Sequence, residues 1–288
     1  MKTRTSLALG LAAVCAAGLG TRAAAGVFSN NIDMLVVAEQ FQAPSTPLDN
    51  PVTYVAFDGG YIEAGDPIAG EGPPTADQVS QSLNAALAEH GFRAAQGTPS
   101  VVLMYHWGIL RIDSTQIRVP YGIKTNLRAR IALVSTERLG TEVENHILLR
   151  EKGGPQDADV SSPKILAGQL QTVAQDARYA RYFVIVSAYD YRALVRHDAR
   201  LLWRTKMSAL EQTGPMDEVI PTLIANGGQY FGKNFTDLRD FTSPLVKSAP
   251  MAVATAYTPP AMEALQLDKH FVESVLKQER VKFSGIND

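Results

Sequence analysis

Five histidines are the first candidates for acid–base or metal chemistry: His90, His106, His146, His197 and His270. No two are three or four residues apart, so no helix can present a ligand pair on one face. His90 falls at an expected helix end, where a donor or cation suits the dipole. His106 falls mid-strand beside Trp107. It is the one histidine that could serve as the base of a hydrolase. No motif surrounds it, so the favoured reading is a hydrogen-bonded core histidine.

Other constellations have plainer explanations. Asp157-Ala158-Asp159 after a Gly-Gly-Pro turn lacks the further oxygen donors and closing Glu of a calcium loop. Asp58-Gly59-Gly60 reads as a turn ending a strand. The glycines and lysine of Gly227-Gly228-Gln229-Tyr230-Phe231-Gly232-Lys233 follow a helix, whereas a phosphate loop precedes one. No Gly-x-Ser-x-Gly elbow, His-Glu-x-x-His or Cys-x-x-Cys is present. Arg128, Arg130, Arg138 and Arg150, mixed with Glu137, Glu142, Glu144 and Glu151, read as a solvated helix surface. Tyr179, Tyr182, Phe183, Tyr189 and Tyr191 suit sheet packing better than a ligand platform. No catalytic, cofactor-binding or metal-ligating residue is therefore assigned, and no cofactor is expected.

The elements that would position these residues are legible from periodicity. Residues 32–37 suggest a short strand, and residues 53–58 a strand stopped by the Asp-Gly-Gly turn. A Gly/Pro-rich loop, 65–74, leads to a helix over 76–90. Thr75 and Gln78 form its capping box, Val79, Leu83, Ala86 and Leu87 its apolar face, and Gly91 its stop. Residues 100–111 are apolar on both faces, as expected of a central strand. A helical insertion of about 112–181 follows. It contains a hairpin over 126–152 divided at Gly140, and a helix opened by Ser162 and Pro163 that runs to about Arg181. Strands are expected at 182–190 and 200–208. The second alternates Leu201, Trp203, Thr205 and Met207 with Leu202, Arg204, Lys206 and Ser208, the pattern of a half-buried antiparallel strand. A helix from Pro215 to about Tyr230, kinked at Pro221, completes a domain over 26–240. Residues 241–262 read as a Pro-rich linker and 267–280 as a last helix on Leu267, Phe271 and Val275. The expected fold class is α+β: a mixed, largely antiparallel sheet with helices packed on it, a helical insertion and a C-terminal arm over 241–288.

Residues 1–25 have the form of a secretion signal. Lys2 and Arg4 precede an apolar run, and Ala23-Ala24-Ala25 gives a cleavage site before Gly26. The single cysteine, Cys15, lies inside this segment, so the mature chain is expected to hold no disulfide. Val14 before Cys15 argues against lipidation there. Loss of Lys2, Arg4 and Arg22 leaves a net charge of about −5, unlike a nucleic-acid binder. No later apolar run approaches the roughly 20 residues of a membrane span.

The order of pieces resembles a known family. A Tyr54-Val55-Ala56-Phe57 strand precedes a helix ending Leu87-Ala88-Glu89-His90-Gly91-Phe92. The strand Val101-Val102-Leu103-Met104-Tyr105 comes next, and later Asp190 and Leu202-Trp203-Arg204. This is similar to small envelope proteins of Gram-negative bacteria known only as a domain of unknown function. The resemblance covers about 53–111 and 182–231. The insertion and C-terminal arm depart from it, as does the lack of a lipid anchor that many of those proteins carry. It implies an α+β envelope domain and no reaction. The expected protein is exported to the periplasm or medium, with possible outer-membrane association. It is a non-catalytic binding or structural module for an envelope protein, glycan or lipid, or for a second copy of itself. A secreted hydrolase using His106 is the alternative.

Overall fold

A computed structural model describes residues 31–66, 72–112, 125–151, 164–235, 239–244 and 259–284. The signal segment with Cys15, the Asp157–Asp159 loop, Ser162, Pro163 and most of the Pro-rich arm lie outside the described residues. The fold is α+β, as the sequence predicts. Among the described residues seven strands form one mixed sheet: β1 (Asn31–Gln40), β2 (Val52–Ala64), β3 (Phe92–Ala94), β4 (Val101–Leu110), β5 (Arg181–Asp190), β6 (Leu201–Leu210) and β7 (Arg239–Pro244). Their order is β3-β2-β4-β5-β6-β1-β7. β2 runs parallel to β3 and β4, and the remaining pairs are antiparallel. Among the described residues no helix is long and apolar enough to cross a membrane.

Helices cover both faces. On one, α1 (Ala76–Glu89) and α6 (Met216–Gly227) pack together over the centre of the sheet. The Thr75–Gln78 capping box is formed, and the buried residues of α1 are Val79, Leu83, Ala86 and Leu87. They join Leu103, Tyr105 and Trp107 of β4 and Val184 and Val186 of β5 in the largest apolar cluster. Leu83 is 1 % exposed. Its replacement by Ala should cost about 2–5 kcal/mol in urea unfolding; a cost near zero would remove α1 from the core.

The opposite face is covered by α2 (Thr125–Val134), α3 (Glu137–Glu151), α4 (Lys164–Asp176), the short α5 (Tyr191–Leu194) and α7 (Lys269–Ser284). It holds two separate apolar clusters. One gathers Leu35, Ile62, Ala129, Ile131, Val173, Phe183 and Phe283. The other gathers Val55, Phe57, Val102, Met104, Tyr189, Leu267, Val272 and Val275. β4 is buried along its whole length because both faces are capped.

Four expectations need correction. Asp58-Gly59-Gly60 does not end β2. It forms a bulge between Asp58 and Tyr61, after which the strand continues to Ala64 against β4. The insertion divides at Ser135-Thr136, not at Gly140. Thr136 Oγ1 accepts from the Leu139 amide at 3.3 Å and starts α3, while Gly140 lies inside that helix. β6 is not half-buried: α2 and α3 close over its polar face, so Arg204, Lys206 and Ser208 are interior. The arm does not begin at Phe241, because β7 first adds an edge strand on β1 and ends at Pro244. Beyond it, α7 docks on its own domain, against α2, β2 and β4.

Candidate functional site

A polar seam separates the two apolar clusters beneath α7. Strand alternation places His106 of β4, Ser187 and Tyr189 of β5, Arg204 and Lys206 of β6 and Glu39 of β1 on this face. α3 brings Glu137 to its rim, and α7 brings Glu279 into its centre and Lys282 to its rim. These hold three cationic and three anionic side chains besides His106, and Arg280 of α7 adds a further cation facing the histidine.

Arg204 is the hub. Its Nη2 donates to Glu279 Oε1, its Nη1 to Glu137 Oε1 at 2.9 Å and its Nε to Ser187 Oγ at 2.9 Å. The guanidinium lies 5.6 Å from the Phe41 ring centroid and 5.4 Å from that of Phe283. Tyr189 Oη donates to the same Glu279 oxygen at 2.6 Å. Burial disfavours the charged guanidinium, but Glu279, Tyr189 and Glu137 outweigh it and hold Arg204 above its ordinary range. Burial and the Glu279 carboxylate together hold the Tyr189 phenol well above its own.

Lys206 continues the seam. Its Nζ donates to the Ala132 carbonyl at 2.8 Å and to the Ser135 carbonyl, and lies 3.1 Å from Glu39 Oε2. It therefore caps the C-terminal carbonyls of α2 from the sheet. Burial lowers it to about 8, against the opposing pull of Glu39. Glu39 Oε1 accepts from the Glu137 amide at 2.7 Å, and Lys282 Nζ pairs with Glu137 Oε1. Burial raises Glu137, but Lys282, Arg204 and Lys206 leave it below the ordinary carboxylate range.

His106 is fully buried. Its ring packs so closely on Gly59 that a Cβ there would lie 2.0 Å from Cε1. The Gly59 carbonyl faces the ring without reaching hydrogen-bond geometry, and neither ring nitrogen pairs with a protein group. The expected hydrogen-bonded core histidine is thus core, with the Gly59 carbonyl nearby but no partner in good hydrogen-bond geometry among the described residues. Burial, the largest influence, holds it below the ordinary histidine range.

The other sequence candidates do not join this seam. His197 lies 3.2 Å from Asp268 at the surface and packs against Phe271 with the two rings tilted by 41°. His270 is exposed beside Glu273. Asp58 accepts from the Gly60 amide at 2.7 Å inside the bulge, and burial raises its carboxyl. Tyr191 Oη donates to the Leu265 carbonyl, while Tyr179 is exposed. One residue assigned to a solvated helix surface is not solvated: Arg130 is buried and donates to the Ala177 and Arg111 carbonyls at 2.6 and 2.8 Å. Glu137 keeps a side chain 42 % exposed while also pairing with the rim of the seam. Among the described residues no group of three or more His, Cys, Asp or Glu side chains could hold a metal. A surface groove of about 410 Å³ follows β3 at the sheet edge, lined by Pro51, Tyr54, Asn84, Ala88, Phe92 and Arg93 among others. None of the seam residues lines it.

No family model matches the chain, and no curated protein does. Among solved structures, one similar chain is a PDZ domain protein from Parabacteroides distasonis, at 10 % identity and TM-score 0.34. The alignment covers 74 % of this chain but only 39 % of that one. Two PelC dodecamer structures from Paraburkholderia phytofirmans align with 11 % and 9 % identity at TM-scores of 0.26 and 0.27. These alignments take in 69 % of this chain and 98 % and 99 % of theirs. Likenesses this remote carry no functional argument.

Proposed function

We propose that the protein is an exported, non-catalytic binding or structural module of the cell envelope. One observation carries the non-catalytic part. The side chains able to do chemistry do converge, but under a helix: His106 is 0 % exposed, and Tyr189, Arg204 and Glu279 each 4 %. A reaction needs a cleft in which a substrate atom meets base, nucleophile and stabilising donors together. In this seam the hydrogen-bonding capacity of Arg204, Tyr189 and Lys206 is spent on protein partners instead. The signal-like residues 1–25 support export, and the family resemblance supports the envelope. The binding partner would be an envelope protein, glycan, lipid or second copy of the chain.

The hydrolase reading keeps one supporting observation, that the Glu279 carboxylate acts on His106 from α7. A broad hydrolase substrate screen on the secreted protein and its His106→Ala variant separates the two. No turnover above background is expected from either. Turnover in the parent that disappears in a folded His106→Ala protein would establish the hydrolase instead. The same preparation tests export, since its intact mass should begin at Gly26; a retained N-terminus in the cytoplasm would refute it.

A further inference from the structure

We propose that α7 is an acid-released latch: Glu279 clamps it to the sheet and the Lys282–Glu137 pair clamps it to α3, and protonation in the seam beneath lets it leave while the sheet stays folded. The device is independent of which partner the protein binds.

The geometry separates α7 from the rest of the core. The sheet strands hold one another through continuous ladders, β4 and β5 alone pairing over ten positions each. α7 has no such ladder. It is attached through Phe271, Val272, Val275 and Leu276 on one apolar cluster, Phe283 on the other, and charged groups between them, with Arg280 reaching the Gly59 carbonyl at 3.4 Å. An element held only by side-chain packing around a polar centre, with no backbone ladder to a neighbour, opens at lower free energy than the sheet below it.

His106 makes that centre sensitive to protons. The groups facing it are the Gly59 carbonyl from β2, Arg204 from β6, and Glu279 and Arg280 from α7. Glu279 Oε1 is already shared by Arg204 and Tyr189. A proton on His106 would put a third cation beside two guanidinium groups and one carboxylate, in a place without water access. Burial disfavours a proton on the ring in the closed state, and that penalty is relieved once α7 lifts. The ring's closed-state affinity for protons is lowered, so the open state binds more protons below an ordinary histidine value of about 6.5. Stability of the closed form then falls as pH drops through that value. Glu137 adds a second step in the same direction. Arg204 and Lys206 from β6 and Lys282 from α7 face its carboxylate, and its backbone amide donates to Glu39 of β1. Because these cations hold its affinity for protons low, that clamp weakens only at more acidic pH. Glu137 is 42 % exposed on its side chain, so this step is the smaller one. Release would uncover Val55, Phe57, Val102 and Met104 beside the Arg204 cation.

Amide exchange read by mass spectrometry on the full mature chain tests this, at about pH 7.5 and about pH 5 and corrected for the chemical exchange rate. Protection of α7 should fall at least about tenfold more than that of β4. In His106→Phe the extra fall should shrink below about threefold, with His106→Gln as the replacement if the Phe variant does not fold. An equal fall in α7 and β4 would overturn the latch. An undiminished fall in the folded variant would overturn the role of His106. Should neither variant fold, the comparison of α7 with β4 in the parent protein decides.

Discussion

Glu279→Ala should lower unfolding free energy by about 3–5 kcal/mol, because it strands a buried guanidinium. Arg204 would keep Glu137 and Ser187, but its interior partner would be gone and the Tyr189 hydroxyl would lose its acceptor. An unpaired buried donor adds about 1–3 kcal/mol to such a loss. Glu137→Ala removes a partner of the same guanidinium from a half-exposed site, where an ion pair is worth about 0.2–1 kcal/mol. The contrast between the two glutamates is the informative quantity. Urea unfolding followed by Trp107 and Trp203 fluorescence measures both. Equal small losses would mean that solvent reaches the centre of the seam.

Gly108→Ala should have an effect as large or larger, through the backbone. Gly108 has φ of +150° and pairs with Ile62 of β2. A Cβ on it would lie 1.9 Å from the Ile62 carbonyl oxygen, which belongs to the neighbouring strand and cannot rotate away. β2 and β4 would have to part at the centre of the sheet. The expected result is no folded protein, or a loss above about 4 kcal/mol. Gly227→Ala is a useful control. Its Cβ would meet the buried Met207 at 2.1 Å from the sulfur and 2.6 Å from Cγ, so that side chain must repack, but the obstacle is a flexible side chain and not a neighbouring strand's backbone, and the loss should be the smaller of the two. Far-ultraviolet circular dichroism and soluble yield distinguish the two, and a normally folded Gly108→Ala protein would show that β2 and β4 are not held in this register.

Much of this was legible in the sequence, and the reasons it stopped are physical. Periodicity located α1 and its buried face because helix amphipathicity is a local property. The apolar run of β4 announced a central strand for the same reason. The seam was not legible. Leu202, Arg204, Lys206 and Ser208 alternate with apolar residues as any solvent-facing strand would. Only the closure of α2, α3 and α7 over that face, from sequence positions far away, makes those charges interior. Glu279 carries no local signal either, since it is one polar residue on the helix that also places Val272 and Val275. The bulge at Asp58-Gly59-Gly60 misled for a related reason: glycines that admit the His106 ring and re-aim a strand look, in sequence, like glycines that end one. One hint was present. Arginine and lysine two residues apart in a strand flanked by Trp203 and Met207, with acidic residues in the insertion and the last helix, is a pattern a buried charge network would also leave.

We propose that the converging reactive groups hold α7 in place rather than catalyse a reaction. The most direct test replaces the interior group of the seam by apolar residues of similar volume, Arg204→Met with Glu279→Leu and Tyr189→Phe together. Buried ion pairs exchanged for well-packed apolar residues are typically neutral or stabilising by about 1–4 kcal/mol, whereas breaking one partner is costly. The measurement is urea unfolding of this triple variant beside the Glu279→Ala protein. If the seam is structural, the triple variant regains at least the stability lost by Glu279→Ala and retains the protection of α7 at neutral pH. A triple variant as unstable as Glu279→Ala, or one in which α7 no longer docks, would contradict the account.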